Sequence, residues 1–219
     1  MGTNYLTLLL LVPLFGAIAV ILLPGDNRKL NQSVALICSG ITLALAWALL
    51  SNFDTGTATM QFSEMVPWNP RLGTSYALGI DGFSFPMILL ATLLCFIAIL
   101  ASSSIHERSK GYYALMLLLE AAMLGVFMAQ DWALFYVFWE LTLIPLFFLI
   151  NSWGGKNRQG AALNFVLYTM GGSVFMLISL LLVFDSVGTH SFSFADIAQG
   201  AQALPKETQI LIFIGFLIG

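Results

Sequence analysis

Two glutamates stand out because each lies inside a stretch of sequence that is otherwise apolar. Glu140 lies in FYVFWELTLIPLFFL (135–149) and Glu120 in YYALMLLLEAAMLGVFMA (112–129). An ionised side chain at the centre of a membrane helix costs roughly 2.5–3.5 kcal/mol, and both burial and a nearby like charge favour the protonated acid. Such a group can hold a proton and release it when a cation approaches. We therefore predict that Glu140 is a proton relay and that Glu120 is a second candidate for the proton path.

Pro145 follows Glu140 by five residues in the same stretch. A proline inside a helix frees the backbone carbonyl four residues earlier, here that of Leu141. Freed backbone groups are tolerated at membrane depth where they face protein or water, so we interpret Pro145 as a kink that lets water reach Glu140. The alternatives are a kink that serves only packing, and protonated glutamates that only hold neighbouring helices together.

The composition indicates that these residues belong to an integral membrane protein. Hydrophobic residues make up 59% of the 219 residues and charged residues 9%, whereas a soluble domain carries about a quarter charged residues. A membrane helix needs about 20 apolar residues, and a seventh apolar stretch begins near Gln209. We predict an all-α polytopic membrane protein with the start of a seventh helix and six complete spans at 5–23, 30–50, 83–102, 112–129, 132–150 and 161–184.

The fourth and fifth spans are separated only by Gln130 and Asp131, which predicts a tight antiparallel hairpin. Glu120 lies ten residues before Gln130 and Glu140 ten residues after it. At a rise of about 1.5 Å per residue, each acid is roughly 15 Å from the turn, which is half of a bilayer core about 30 Å thick. We therefore expect both acids near the membrane midplane, on neighbouring helices.

The basic residues predict the sidedness of the loops. Positive charge concentrates in cytoplasmic loops, so we place the loops after spans one, three and five in the cytoplasm and the N-terminus outside. The segments are then two helices at 1–51, an extracytoplasmic loop at 52–82, and helices three to seven at 83–219. The cytoplasmic set is Arg28, Lys29, Arg108, Lys110, Lys156 and Arg158, and the opposite set is Arg71 and Lys206.

The sixth span contributes a polar face that supports an interior path. Its members are Asn164, Tyr168, Gly172 and Ser179, which fall close together at helical spacing. The sequence MGGS at 170–173 is expected near the depth of Glu140, because span six starts on the side where span five ends.

The remaining candidates indicate no second chemistry. His106 and His190 lie in loops without a partner at metal-ligand spacing, and Cys38 and Cys95 lie in apolar stretches as small core or lipid-facing residues. Asp81 precedes span three, where an acid suits a helix N-terminus. We expect no metal, flavin, haem or iron–sulfur cluster in this chain, and no basic patch favours nucleic acid.

Four motifs resemble one family of membrane proteins. They are LGIDGFSFPMILL, FWELTLIP, WGGKNRQ and LYTMGGS. They are similar to landmarks of the antiporter-like, proton-pumping subunits of complex I and NDH-1, of the subunit-4 type called NuoM in bacteria and NdhD in cyanobacteria and chloroplasts. The resemblance runs from about residue 64 to the end and is looser over the first two spans.

The resemblance implies a fourteen-helix subunit of which this chain is the N-terminal part. In that family the glutamate of FWE carries protons, which maps onto Glu140, and its lysine partner lies on the seventh helix, here beyond Gly219. The implied activity is proton translocation within a quinone oxidoreductase, with the electron donor, quinone and clusters held by other membrane-complex subunits. The implied membrane is a cyanobacterial thylakoid or otherwise a bacterial inner membrane.

One position departs from the photosynthetic pattern. Asn164 in ALNF stands where many such members carry a lysine, which suggests a divergent branch such as the carbon-dioxide-uptake type. Two other functions stay open on the sequence: a subunit of an Mrp-type cation/proton antiporter, and a non-pumping structural membrane subunit.

Overall fold

A computed structural model describes residues 4–69, 73–188 and 191–219 of the chain. Among these residues, six helices are long and apolar enough to cross a membrane, which confirms the six predicted spans. The helices are α1 (Tyr5–Leu22), α2 (Arg28–Leu50), α3 (Ser84–Ala101), α4 (Ser109–Met128), α5 (Trp132–Trp153), α6 (Arg158–Val187), α7 (Phe194–Ala201) and α8 (Lys206–Ile218).

The first four helices form a bundle in which α4 is the central member. Helix α4 contacts α1, α2, α3 and α5, whereas α5 and α6 continue outward and α6 packs against α8. Small residues allow the close approach of α1 and α2: a Cβ added at Gly16 would lie 2.7 Å from the Cβ of Cys38. Lipid tails are as apolar as the side chains of a membrane helix, so burial of apolar surface does little to bring two helices together. Small residues help instead, because they let the two backbones pack closely.

A β-hairpin occupies much of the segment that the sequence analysis assigned to a loop at 52–82. Strands β1 (Gln61–Asn69) and β2 (Thr74–Ile80) pair antiparallel. The pairing shifts between Gln61 and Glu64, where Phe62 has a φ of 53°. A bulge of this kind re-aims the side chains that follow it. The all-α prediction therefore holds for the membrane-spanning part and misses this hairpin.

The turn between α4 and α5 is bonded to this hairpin. The Gln130 amide donates to the Ala77 carbonyl at 2.8 Å, and the Trp132 amide donates to the Phe192 carbonyl at 2.8 Å. The Phe194 amide in turn donates to the Gln130 carbonyl. The turn thus lies as an extended segment between β2 and the chain that leads into α7.

Asp131 explains why α5 begins at Trp132. Its Oδ1 accepts hydrogen bonds from the amides of Ala133 and Leu134, which satisfies orphan donors of the first helical turn. Its Oδ2 accepts a hydrogen bond from the Ser75 amide of β2 at 2.9 Å. One buried carboxylate therefore both starts α5 and ties it to the hairpin.

Helices α6 and α8 differ from their predicted limits. Helix α6 continues to Val187, three residues beyond the predicted limit, and the polar stretch after it contains the short helix α7. Helix α8 begins at Lys206, ahead of the predicted start near Gln209. Trp132 packs against Phe194 and Phe216, with ring centroids 4.5 and 4.9 Å away, and so joins the start of α5 to α7 and α8.

Candidate functional site

Glu140 lies near the middle of α5 and is half-buried. Its Oε1 atom is buried and has no hydrogen-bond partner in the part of the chain that the structure describes. A buried polar atom without a partner costs about 1–3 kcal/mol, more when the group is charged. The carboxyl group therefore leaves room for a polar partner that arrives from outside the described residues.

Tyr136 connects Glu140 to α6. Its side chain interacts with the carboxyl group of Glu140 one turn further along α5 and with the hydroxyl group of Ser173 on α6. Ser173 is buried. These three polar side chains lie in a short row across the α5–α6 interface, and the Ser173 hydroxyl donates to the Met170 carbonyl at 3.1 Å. Their arrangement agrees with the expectation that the segment 170–173 lies near the depth of Glu140.

Trp139 adds a second polar atom without a partner beside Glu140. Its Nε1 atom is buried and has no hydrogen-bond acceptor among residues 4–69, 73–188 and 191–219. Its ring stacks on Phe135 with centroids 5.8 Å apart. Adjacent residues of α5 therefore carry one unpaired donor and one unpaired acceptor among the described residues. This part of the helix can bind water or a polar group from outside the described chain.

Pro145 is buried and lies within α5, which continues to Trp153. The helix is therefore not broken at this residue, although proline cannot bond to the Leu141 carbonyl. That carbonyl lies directly after Glu140, as the sequence indicated. That Pro145 lets water reach Glu140 stays a prediction.

Glu120 is completely buried on α4 and belongs to a different environment. Its Oε1 accepts a hydrogen bond from the hydroxyl group of Ser39 on α2 at 3.1 Å. Its Oε2 has no partner within the described residues. The thiols of Cys38 on α2 and Cys95 on α3 lie near enough to be affected by its charge, so that Glu120 faces the interior of the first bundle.

The two glutamates share one hairpin but face different helices. The hairpin prediction is confirmed, because α4 and α5 are joined only by residues 129–131 and pack on each other. A Cβ at Gly125 would lie 2.3 Å from the ring of Phe138, which places these two residues at one level. Counting from that level, the acids are offset by three residues, or about 4.5 Å in depth. Glu120 contacts α2, whereas Glu140 lies on the side of α6.

The predicted polar face of α6 lies against α8 in its second half, because a Cβ added at Gly172 would lie 3.1 Å from the Ile218 carbonyl oxygen and a Cβ added at Gly215 would meet the Ser179 side chain. Asn164 and Tyr168 are exposed, with 83% of Tyr168 accessible, whereas Ser179 is buried. The face of α6 that packs on α5 instead carries Ser173. Periodicity groups the residues of one face but does not tell which neighbour that face meets. That this face lines an interior path stays a prediction.

Two polar partners, Tyr136 and Ser39, escaped the sequence analysis, and a third was noted without its role. Tyr136 could have been found from its spacing, since residues four apart on a helix are neighbours. Ser39 could have been noticed as a polar residue inside an apolar span, but only the packing of α2 on α4 pairs it with Glu120. Ser173 was included only as part of a small-residue motif.

The other described candidate residues make contacts that stabilise the fold. Asp81 accepts hydrogen bonds from the amides of Phe83 and Ser84 at the start of α3, as predicted, and these bonds lower the pKa of its carboxyl group. His106 lies beside the Arg28 guanidinium. His190 and Arg71 lie outside the described residues. Within residues 4–69, 73–188 and 191–219, no group of three or more His, Cys, Asp or Glu could hold a metal ion.

Two family models match the chain in succession. Residues 7–129 match the amino terminus of NADH-ubiquinone oxidoreductase chain 4. Residues 129–219 match a family described as NADH:quinone oxidoreductase/Mrp antiporter, TM. The two matches meet at the α4–α5 turn.

The chain is also similar to curated proteins and to solved structures of respiratory membrane complexes. The chain is 38% identical over 219 residues to NAD(P)H-quinone oxidoreductase chain 4 1 of Picosynechococcus, covering 98% of this chain and 40% of that protein. It is 39% identical to F(420)H(2) dehydrogenase subunit M of Methanosarcina mazei, covering 97% of this chain and 44% of that protein. A chain of respiratory complex I from Thermus thermophilus superimposes with a TM-score of 0.84 at 29% identity, covering 97% of this chain and 42% of that one. The chain therefore spans about 40% of the length of the curated relatives it matches.

Proposed function

Because this chain belongs to the NADH-ubiquinone oxidoreductase chain 4 family, we propose that it forms part of a proton-translocating membrane-arm subunit of a complex I or NDH-1 type quinone oxidoreductase. The observation that carries the proposal is the buried Oε1 of Glu140, which has no hydrogen-bond partner among the described residues, near the middle of a membrane-spanning helix. A carboxyl group in that position can bind a proton without a permanent counter-ion and release it to an approaching cation.

The neighbours of Glu140 suit proton transfer. Tyr136 can donate or accept a hydrogen bond through its hydroxyl group, and it interacts with both Glu140 and Ser173. A proton could therefore leave Glu140 toward α6 along these hydroxyl groups. Glu120 is the second candidate for the path, and its contact with Ser39 places it in the first bundle rather than in this row.

The experiment that tests the proposal uses the full-length protein within its complex. Glu140→Gln keeps the size of the side chain but removes proton exchange, so we expect proton uptake by membrane vesicles, normalised to assembled complex, to fall about tenfold or more. Glu140→Asp keeps the acid and retracts it by one methylene, so partial activity should survive. Assembly of the Gln variant should stay near wild type, because a neutral amide is easier to bury than a carboxylate.

The matched control is Glu107→Gln, which removes an exposed carboxylate from the loop before α4. Its proton uptake should equal that of the wild type. Wild-type pumping by Glu140→Gln would contradict the relay and leave Glu140 as a group that only holds helices together. The same result would favour the alternative of a non-pumping structural subunit.

Cofactors and partners follow from the same proposal. We propose that other subunits of the complex bind the quinone, the electron donor and the iron–sulfur clusters, and that this chain holds no redox centre. A stoichiometric flavin, haem or metal in the purified subunit would contradict this. The neighbouring subunits are those of the membrane arm, and they lie with this chain in the lipid bilayer.

A second function has support from the fold and from one family model. The Mrp complex from Dietzia superimposes with a TM-score of 0.81 at 24% identity, which concerns the fold alone, and the family matched at 129–219 includes Mrp antiporters in its description. A cation/proton antiporter would co-purify without quinone-reducing subunits and would exchange cations for protons. The presence of quinone reductase activity in the purified complex separates the two functions.

The sidedness and the membrane are also proposals. The positive-inside pattern supports an extracytoplasmic N-terminus, on the lumenal or periplasmic side. The cyanobacterial relative supports a thylakoid membrane. The departure at Asn164 supports the carbon-dioxide-uptake variant. The relative from Methanosarcina mazei, which is about as similar, supports neither. Fractionation of the source cells and identification of the electron donor test these two points.

A further inference from the structure

A cleft of about 840 Å³ opens where the start of α1, the end of α2 and strand β1 meet. Its volume falls in the usual range for ligand pockets, about 300–1,000 Å³. It lies away from the row of Glu140, Tyr136 and Ser173, and none of those residues lines it. The lining residues are Asn4, Tyr5, Leu9, Leu45, Ala48, Leu49, Ser51, Asn52, Phe62, Ser63, Glu64 and Met65.

The cleft is apolar at its base and polar at its rim. Leu9 and Leu49 at the base are buried members of the core that joins α1, α2 and the hairpin. The rim carries Asn4, Ser51 and Asn52, all exposed. The side-chain amides of Asn4 and Asn52 can donate to a ligand, whereas the Ser51 hydroxyl donates to the Ala48 carbonyl at 2.8 Å. Because α1 begins and α2 ends beside the cleft, the rim lies at the border of the apolar spans. An amphiphile with its chain toward the base and its polar group at the rim matches this gradient.

The charge of the cleft comes from Glu64. Its carboxylate accepts hydrogen bonds from the amides of Leu6 and Thr7 at 2.7 and 3.0 Å and from the Thr7 hydroxyl at 2.5 Å. These bonds come from neutral donors, so they hold the carboxylate in place without neutralising its charge. No Lys or Arg lines the cleft within the described parts of the chain.

We propose that this cleft binds a zwitterionic phospholipid, with its ammonium group toward Glu64 and its phosphate toward the side-chain amides of Asn4 and Asn52 at the rim. The first carbons of one acyl chain then lie against Leu9, Leu45 and Leu49. An anionic phospholipid would bring net negative charge to a carboxylate with no lysine or arginine in the lining to offset it. The lipid then lies against α1, α2 and β1, which also contact one another through the core at the base of the cleft.

The test uses the full-length protein in its complex, reconstituted in nanodiscs that hold equal parts of phosphatidylethanolamine and phosphatidylglycerol. Native mass spectrometry should show one retained phosphatidylethanolamine that Ala48→Trp removes, because the indole fills the cleft. Ala44→Trp is the matched control: it lies one turn earlier on α2, is also exposed, and does not line the cleft. It should retain the lipid.

A second variant tests the role of the charge. Glu64→Gln should lower the preference for phosphatidylethanolamine over phosphatidylglycerol to near parity while a lipid stays bound. Equal retention of the two lipids by the wild type, or an unchanged lipid in Ala48→Trp, would overturn the proposal. If Ala48→Trp does not assemble, a density map of the wild-type complex decides. Lipid density with its headgroup at Glu64 supports the proposal, and an empty cleft or one filled by another protein chain overturns it.

Discussion

Glu120 and Glu140 carry the same functional group, and their neighbours give them different properties. Glu120 has one hydrogen bond, from Ser39, inside a finished bundle. Glu140 has a buried oxygen without a described partner and a tyrosine beside it. An acid that is enclosed on all sides has few routes for its proton, whereas an acid at an interface between two helices can exchange it. This difference supports Glu140 as the first candidate for the proton relay and Glu120 as the second.

The Ser39 hydroxyl should stabilise the first bundle by satisfying Glu120. Ser39→Ala leaves a completely buried carboxyl group without its hydrogen bond, which costs about 1–3 kcal/mol. We expect a lower thermal unfolding temperature of the purified complex. The control is Ser33→Ala, an exposed position on the same helix, and it should unfold as the wild type does. An unchanged unfolding temperature in Ser39→Ala would show that water or another group replaces the hydroxyl.

Asp26 should make the stability of the chain sensitive to acid. Its Oδ1 accepts hydrogen bonds from the Ser109 hydroxyl at 2.6 Å and the Lys110 amide at 2.9 Å, and these bonds lower the pKa of its carboxyl group. A group whose pKa is lowered by folding stabilises the fold above its unfolded pKa of about 3.9 and loses that contribution as the pH falls through the lower folded value.

Asp26→Asn should therefore unfold more easily than the wild type at neutral pH and differ less from it as the pH falls below about 4. Thermal unfolding followed from pH 7 downward measures this. Glu107→Gln is the control, since it removes an exposed acid from the neighbouring loop. A constant difference between Asp26→Asn and wild type at every pH would contradict the assignment.

At the scale of the elements, hydropathy predicted every membrane helix because lipid imposes a simple length requirement. The β-hairpin escaped because β1 is largely exposed and reads as a polar loop with scattered apolar residues. Its stability comes from contacts with the α4–α5 turn and with α1, which are distant in sequence. Likewise, the sequence gives the depth of Glu140 but not the helix it faces. Depth follows from counting residues, whereas facing depends on packing.

The α4–α5 hairpin should depend on glycine at position 125. A Cβ there would lie 2.3 Å from the Phe138 ring, a distance that forces the helices apart. Overpacking of this kind costs about 1–3 kcal/mol. We expect Gly125→Ala to lower the yield and thermal stability of the assembled complex.

Gly111→Ala is the matched control on the same helix, because its Cβ would lie 3.7 Å from Trp153, an ordinary contact. The double variant Gly125→Ala with Phe138→Leu should recover part of the loss, since the smaller side chain makes room for the methyl group. If Gly125→Ala is as stable as Gly111→Ala, the close contact between α4 and α5 is not present in the assembled protein.

At the scale of the whole molecule, the sidedness can be measured on the loop after α5. In the full-length protein with Cys38 and Cys95 replaced, Lys156→Cys should react with a membrane-impermeant thiol reagent only from the cytoplasmic side. Lys206→Cys, at the start of α8, should react only from the opposite side. Both positions are exposed, so access to the reagent is not limited by packing. Reaction of Lys156→Cys from the lumenal or periplasmic side would invert the proposed topology.

Hydrogen bonds hold the α4–α5 turn between β2 and the segment leading to α7. They clamp the N-terminal end of α5. Trp132 at the clamped end cannot slide along the membrane normal without breaking the bond to Phe192. Any movement of α5 must then be a tilt or bend about that end, with an amplitude that grows toward Trp153. Glu140 lies eight residues along, about 12 Å from the clamp, so a tilt of roughly 10° displaces it by only about 2 Å. That is enough to make or break one hydrogen bond, while the far end of the helix sweeps more than twice as far.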